Sequence, residues 1–134
     1  MEGDIQLPDL KILVVDDSLT MRRILVNTVN KAGYPSVNEA EDGRDALAKM
    51  MAGKYDLLMT DWNMPNMSGL ELVEAVRADA NFKGIPILMV TTRNLKEDII
   101  NAIKIGVNGY IVKPFDAKTL NAKINEVMGD SVVT

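Results

Sequence analysis

The chain contains no cysteine and no histidine. Without thiols it can form no disulfide framework, iron–sulfur cluster or thiolate zinc site. Without imidazole it carries no histidine base, haem ligand or phosphohistidine of its own. Aromatic residues make up 4% of the sequence, and no apolar run approaches the ~18 residues that a membrane span requires. The leading MEGDIQLPDL lacks the basic and apolar regions of a secretory signal, so a cytoplasmic, soluble protein is expected. Positive charge is also in short supply. Fifteen Lys plus Arg face nineteen Asp plus Glu, a net charge of -4, which is the wrong sign for gripping nucleic acid or an anionic membrane through the bulk field.

What is present suits one folded domain. The 134 residues are 47% hydrophobic and 25% charged, close to globular averages and sufficient for a sizeable core. Apolar runs alternate with amphipathic stretches five times. The strands expected are Lys11 to Val15, Ser36 to Glu41, Tyr55 to Thr60, Pro86 to Val90 and Tyr110 to Val112. The second is the most polar and reads as a sheet edge. Between them run helical stripes: Met21, Ile24, Leu25, Thr28 and Val29; Ala46, Leu47, Met50 and Met51; Leu72, Val73 and Val76; Ile99, Ile100 and Ile103; and finally Ala117, Leu120, Ile124, Val127 and Met128. Asn94 and Glu97 resemble a capping box for the fourth helix, and Asp116 a cap for the fifth. Strands separated by such helices need crossover connections, which predicts a doubly wound α/β fold: a parallel sheet with helices on both faces. Six residues follow Met128. A single domain over 1–134, with its core at 11–128 and no output domain, is the expectation.

In an open parallel sheet, ligands bind beyond the carboxyl ends of the strands. Strand one delivers Asp16 and Asp17 there, strand three Asp61, strand four Thr91 and Thr92, and strand five Lys113. Three converging carboxylates repel one another unless a cation shares the site. Magnesium suits them, because it takes oxygen ligands and commonly joins one or two carboxylates to a phosphate. With phosphate in view, Lys113 supplies a point charge and Thr91 a hydroxyl donor for its oxygens. A carboxylate can itself be the nucleophile of phosphoryl transfer. Asp61, alone on the middle strand beside an opening loop, is the candidate, while Asp16 and Asp17 are placed to hold metal. The donor phosphohistidine, if that is the donor, must belong to another protein.

The segments VVDDS, MTDWNMPNMSG, MVTTR and GVNGYIVKPF, in that order and spacing, resemble the receiver domain of two-component response regulators, over about the whole stretch from Lys11 to Met128. DDSLTMRRI, AEDGRDAL and VKPF resemble the chemotaxis members in particular. The resemblance implies a five-stranded sheet of order 2-1-3-4-5. It makes Asp61 the phosphoacceptor and implies that Asp17 and Asp61 bind magnesium, with the backbone carbonyl of Asn63 as a further ligand and Asp16 acting mainly through water. It implies that Thr91 and Lys113 engage the phosphoryl oxygens, that the Lys113–Pro114 bond is cis, and that Tyr110 is a switch aromatic moving inward with Thr91. An α4-β5-α5 surface carrying Ile99, Tyr110 and Lys123 would then meet partners. Those partners are a histidine kinase of the CheA type, a flagellar motor switch protein of the FliM type and a possible phosphatase, with the chain itself a monomer. Such a protein is no enzyme toward a diffusible substrate; it catalyses only its own phosphorylation and dephosphorylation.

The chain departs from the family pattern in places. Thr92 stands where a smaller residue is usual and Arg93 where the chemotaxis relatives have an acid, so Asn63, Thr92 and Arg93 are expected to tune phosphoryl lifetime. Ser68 replaces an acid with no evident consequence, and Trp62 reads as a partly exposed loop aromatic. Two rival functions fit less well. A haloacid dehalogenase phosphatase spaces its two acids differently after strand one, and a flavin mononucleotide carrier needs a glycine-bearing phosphate loop that DSLTMRR lacks. A phosphorelay shuttle or phosphate sink would use the same residues without touching a motor.

Overall fold

The computed structural model describes residues 10–129, so the acidic leader and the tail beyond the last helix lie outside the described residues. Ten elements alternate along the chain: β1 (Ile12–Val15), α1 (Leu19–Lys31), β2 (Val37–Ala40), α2 (Gly43–Ala52), β3 (Leu57–Thr60), α3 (Gly69–Ala78), β4 (Ile87–Thr91), α4 (Lys96–Ile105), β5 (Gly109–Val112) and α5 (Ala117–Met128). All four strand pairings are parallel, in the order β2-β1-β3-β4-β5. This is the doubly wound α/β sheet with the strand order the resemblance implies, and polar β2 is at its edge.

Each strand of the middle of the sheet is apolar on both sides because both sides are covered. Ile12, Val14, Leu57, Met59, Leu88 and Val90 face Leu25 and Val29 of α1 and Leu120 and Ile124 of α5. Leu13, Val15, Leu58, Ile87 and Met89 face Ala46 and Met50 of α2, Leu72, Val73 and Val76 of α3, and Ala102 of α4. The strand period of two thus divides one apolar run between two separate cores. The Tyr34 hydroxyl fastens the first of these by reaching Asn121 Oδ1 at 3.1 Å, which joins the end of α1 to α5. Opposite, Arg77 of α3 donates to the carbonyls of Lys83, Ile85 and Gly106 and to Asn108 Oδ1. Those bonds fix the turn between α4 and β5.

Local chemistry explains most helix ends. Ser18, Asp42, Ser68 and Asp116 each accept a backbone N–H of the first turn, and Ser68 with Glu71 forms a full capping box. Ser68 therefore has a consequence after all: it starts α3. The capping box expected from Asn94 and Glu97 does not form. Leu95 occupies the N-cap of α4 without a side-chain bond, which leaves Asn94 outside the helix and Glu97 one position too early. The apolar stripe of α4 is corrected too. Its inward line is Ile99, Ala102 and Ile105, while Ile100 and Ile103 are about half exposed. Ile24 of α1 and Met51 of α2 are likewise exposed, because a helix lying on one sheet face buries a narrower stripe than its apolar count suggests.

Gly109 lets α5 lie close to β5: an added Cβ would come within 2.4 Å of Val127 Cγ1 and 3.1 Å of Leu88 Cδ1. Gly109→Ala is expected to destabilise the fold by about 1–3 kcal/mol through overpacking. A urea titration showing an unchanged midpoint and slope would contradict this.

Candidate functional site

The strand ladder carries the site residues to one edge. Val15 pairs with Thr60, so Asp16 and Asp61 emerge at the same level, while the register through Met89 and Tyr110 sets Lys113 two residues farther along, just past β5, from where its long side chain reaches back. Three further backbone bonds extend the ladder just past the strands: Asp16 N–H to Ala40 O at 3.2 Å, Asp61 N–H to Val15 O at 3.0 Å, and Lys113 N–H to Thr91 O at 2.9 Å. The side chains of Asp16, Asp61 and Lys113 thus leave a rigid frame in a fixed relation to one another.

Lys113 Nζ sits between the two acids, 2.9 Å from Asp16 Oδ2 and 3.4 Å from Asp61 Oδ2. It is nearly buried, with 8% of its side chain exposed against 2% for Asp16 and 15% for Asp61. Asp16 is held at its other oxygen by the Ser18 N–H at 2.9 Å, and its carbonyl accepts Arg22 Nη1 at 2.7 Å. Asp61 Oδ1 accepts the Trp62 N–H at 2.6 Å. Burial raises the pKa of Asp61, helped by the Asp16 charge, while Lys113 and the Trp62 N–H pull it down. Asp17 is exposed, and one carboxylate oxygen from each of Asp16, Asp17 and Asp61 lies within 4.8 Å of the others.

This donor set suits a hard divalent cation. It offers only oxygen, it is open to water on the Asp17 side, and its like charges exceed what Lys113 alone offsets. Asp16, Asp17 and Asp61 are the side chains that would hold such an ion. Gly69 keeps Asp61 in place: its N–H donates to Trp62 O at 2.7 Å, and a Cβ there would lie 2.1 Å from the Asp61 carbonyl oxygen. In sequence this glycine is only the last residue of MTDWNMPNMSG, because the contact that requires it runs between backbones far from any residue-type signal.

Other expected residues fall around this centre. Thr91 is buried and accepts the Arg93 N–H at 3.3 Å, whereas Thr92 is exposed. The Lys113–Pro114 bond is cis. Asn63 is exposed and accepts Arg93 Nη2 at its side-chain oxygen. Tyr110 is turned inward and donates its hydroxyl to the Arg93 carbonyl at 2.8 Å. Burial, with the Asp98 and Asp61 charges behind it, raises the pKa of that hydroxyl against the opposing pull of Arg93, so at neutral pH it remains a donor. Trp62 corrects an expectation: it is 7% exposed, covered by the Arg93 guanidinium on its face and by Tyr110 at its edge. Ile99 and Lys123 stand apart from the centre, on α4 and α5. Ile99 is half-buried, and Lys123 pairs with Glu126 at 3.7 Å.

A raised native pKa has a definite sign in stability. The unfolded Asp61 ionises first, so folding loses stability as pH climbs from the ordinary carboxylate range to the raised native value, and the full cost persists above it. In chelator, Asp61→Asn is expected to melt higher than the parent at neutral pH and to converge with it in acid. Added magnesium is expected to stabilise the parent and not the variant, measured by thermal denaturation at each pH.

The response regulator receiver domain model matches residues 12–125. The chemotaxis protein CheY1 of Helicobacter pylori is 53% identical over 121 residues, covering 90% of this chain and 98% of that protein. CheY of Pseudomonas aeruginosa is 49% identical over 118 residues, covering 88% and 95%. Among solved structures, the chemotaxis protein CheY4 of Vibrio cholerae is 42% identical with a TM-score of 0.81, covering 88% of this chain and 98% of that one. The receiver domain of a Pseudomonas aeruginosa sensor histidine kinase, solved with a magnesium ion coordinated in its active-site cleft, is 27% identical with a TM-score of 0.80, covering 90% and 98%. An edge of paired acids and one buried ammonium on a 2-1-3-4-5 sheet, joined to these likenesses, identifies the chain as a member of the response regulator receiver family, of the CheY type.

Proposed function

We propose that Asp61 accepts a phosphoryl group from a phosphohistidine on a separate kinase of the CheA type. The observation that carries this reading is the position of the Lys113 ammonium, held between Asp16 and Asp61 at the mouth of the site. An Asp61 oxygen attacks phosphorus, a P–O bond forms, and the P–N bond breaks with its electron pair returning to the donor imidazole. Lys113 neutralises charge on the oxygens as it builds, and the rigid strand ends align acceptor with donor. Asp16, Asp17, Asp61 and the Asn63 carbonyl are the groups for magnesium, which when bound supplies further charge neutralisation to the phosphoryl oxygens. The likeness to a receiver solved with magnesium in its cleft supports that choice of ion.

The product carries about -1.5 to -2 charges and three strong acceptors. Thr91 and Lys113 are the donors that turn toward it, and Tyr110 moves with Thr91 to favour one arrangement of α4, β5 and α5. The output is binding of a motor switch protein of the FliM type at that surface, in the cytoplasm, in chemotaxis. Support comes from the chemotaxis relatives and from the apolar exposure of Leu95, Ile100 and Ile103 along α4. The chain catalyses only its own phosphorylation and dephosphorylation. Asn63, Thr92 and Arg93 set the lifetime of the phosphorylated form, because they border the path of an attacking water.

Incubation with magnesium and acetyl phosphate should add the mass of one phosphoryl group to the parent and none to Asp61→Asn, with capture of a motor-switch peptide only by the modified parent. Equal mass gain in both proteins would overturn the assignment of Asp61, and a gain without peptide capture would assign the chain to a relay or sink. Arg93→Glu, which removes the cover over Trp62 and the bond to Asn63, should hydrolyse its phosphoryl group roughly threefold faster or more; a parental rate, with and without partners, would remove Arg93 from the set.

A further inference from the structure

Arg93 is engaged from three segments of the chain at once. The centre of its guanidinium lies 4.5 Å from the centroid of the Trp62 ring. Nη2 donates to Asn63 Oδ1 at 3.0 Å, so two successive residues after Asp61 are tied to it. Nη1 lies 3.6 Å from Asp98 Oδ2 in the first turn of α4. The Arg93 backbone carbonyl takes the hydroxyl of Tyr110, and the Tyr110 ring meets Trp62 edge-on at 6.5 Å and 74°. The contacts close a circuit. From the Arg93 side chain they pass to Trp62, from Trp62 to Tyr110, and from Tyr110 back to the Arg93 main chain.

Every member of this circuit belongs to the chain itself, and a carboxylate in place of the guanidinium would face Asp98 and present no cation to the indole face. We propose that Arg93 is a positioning residue that ties the loop after Asp61 to the first turn of α4 and thereby biases Tyr110 toward its inward placement. The proposal rests on the reading of Tyr110 as the mobile aromatic of the output surface. It assigns to the guanidinium a part of the bias that phosphorylation otherwise supplies, so the resting chain already favours the inward arrangement. The tie is poised and not locked. Its Asp98 contact is longer than a hydrogen bond, and among the described residues Arg93 Nε is the buried side-chain nitrogen with no hydrogen-bond partner. Two arrangements separated by so few contacts can exchange in response to a modest perturbation.

The sequence has one tryptophan and three tyrosines, which makes the test direct. Trp62 accessibility is read by acrylamide quenching, and Tyr110 placement by fluorine NMR of protein carrying fluorotyrosine, with the Tyr110 signal assigned by Tyr110→Phe. In Arg93→Ala both should move: quenching of Trp62 should rise about twofold or more, and the Tyr110 signal should shift toward its solvent-exposed position. Arg93→Lys, which keeps charge and loses the planar fork, should fall between. Asp98→Asn, which removes one tie and leaves the rest, should move Tyr110 in the same direction by a smaller step and serves if Arg93→Ala fails to fold. A Trp62 that becomes exposed while Tyr110 keeps its parental signal would reduce Arg93 to a packing role and overturn the proposal. So would parental values of both in Arg93→Ala. Neither measurement involves a phosphoryl group, so failure here is distinct from failure of Asp61 as acceptor.

Discussion

One buried ammonium shared between two carboxylates governs the upper edge of this sheet. The ladder forces Asp16 and Asp61 to neighbouring positions whether or not their charges agree, and Lys113 is what makes the arrangement tolerable. Its two distances, 2.9 and 3.4 Å, differ little in consequence. At an effective dielectric near 20 the Coulomb difference between them is on the order of 1 kcal/mol. The ammonium is therefore close to balance between the two acids, with a small preference for Asp16. Added negative charge on Asp61 would reverse a preference of that size, so under the proposed phosphorylation the same residue would both stabilise the resting site and register the change.

The cores on the two faces of the sheet respond differently to such a change. Leu120 and Ile124 of α5 and Leu25 and Val29 of α1 are buried against strand residues that point away from the α4 side. On the other face α4 contributes a single fully buried residue, Ala102. A helix with so little buried surface is the element most easily displaced, since large packed residues are what make displacement costly. Ile100 and Ile103, with Leu95 at its N-cap, expose apolar area that the core does not use.

The fold and the central residues were legible because both rest on short-range rules. Strand and helix periods gave the five alternating pairs, and the rule that parallel sheets present function at their carboxyl ends picked out Asp16, Asp17, Asp61, Thr91, Thr92 and Lys113 from the chain order, of which Thr92 is exposed. Long-range packing was not legible. Trp62 reads as partly exposed because nothing near it in sequence shows that an arginine 31 positions onward covers its face. Ser68 carried a visible signal, the Ser-x-x-Glu pattern of a capping box with Glu71, but comparison with the family pattern drew attention to the acid it replaces. Asn94 with Glu97 carried a similar signal that the backbone does not use, since α4 begins one residue later than that pattern requires. Which isoleucines of α4 face inward depended on the seat of the helix over the sheet, and its own sequence suits several rotations.

Arg77 commits its guanidinium to four acceptors, two in the segment before β4 and two just past the far end of α4, where the Gly106 it holds has a positive φ of 129°. That end is a fixed pivot. With ten residues rising about 1.5 Å each, the helix is a lever arm of roughly 15 Å. A tilt of roughly 10° about the anchored end would sweep the opposite end through roughly 2.6 Å while the turn into β5 stayed still. Motion started beside the acidic cluster would then act at the free end of the lever, where displacement is largest, and die away toward the hinge without loosening it.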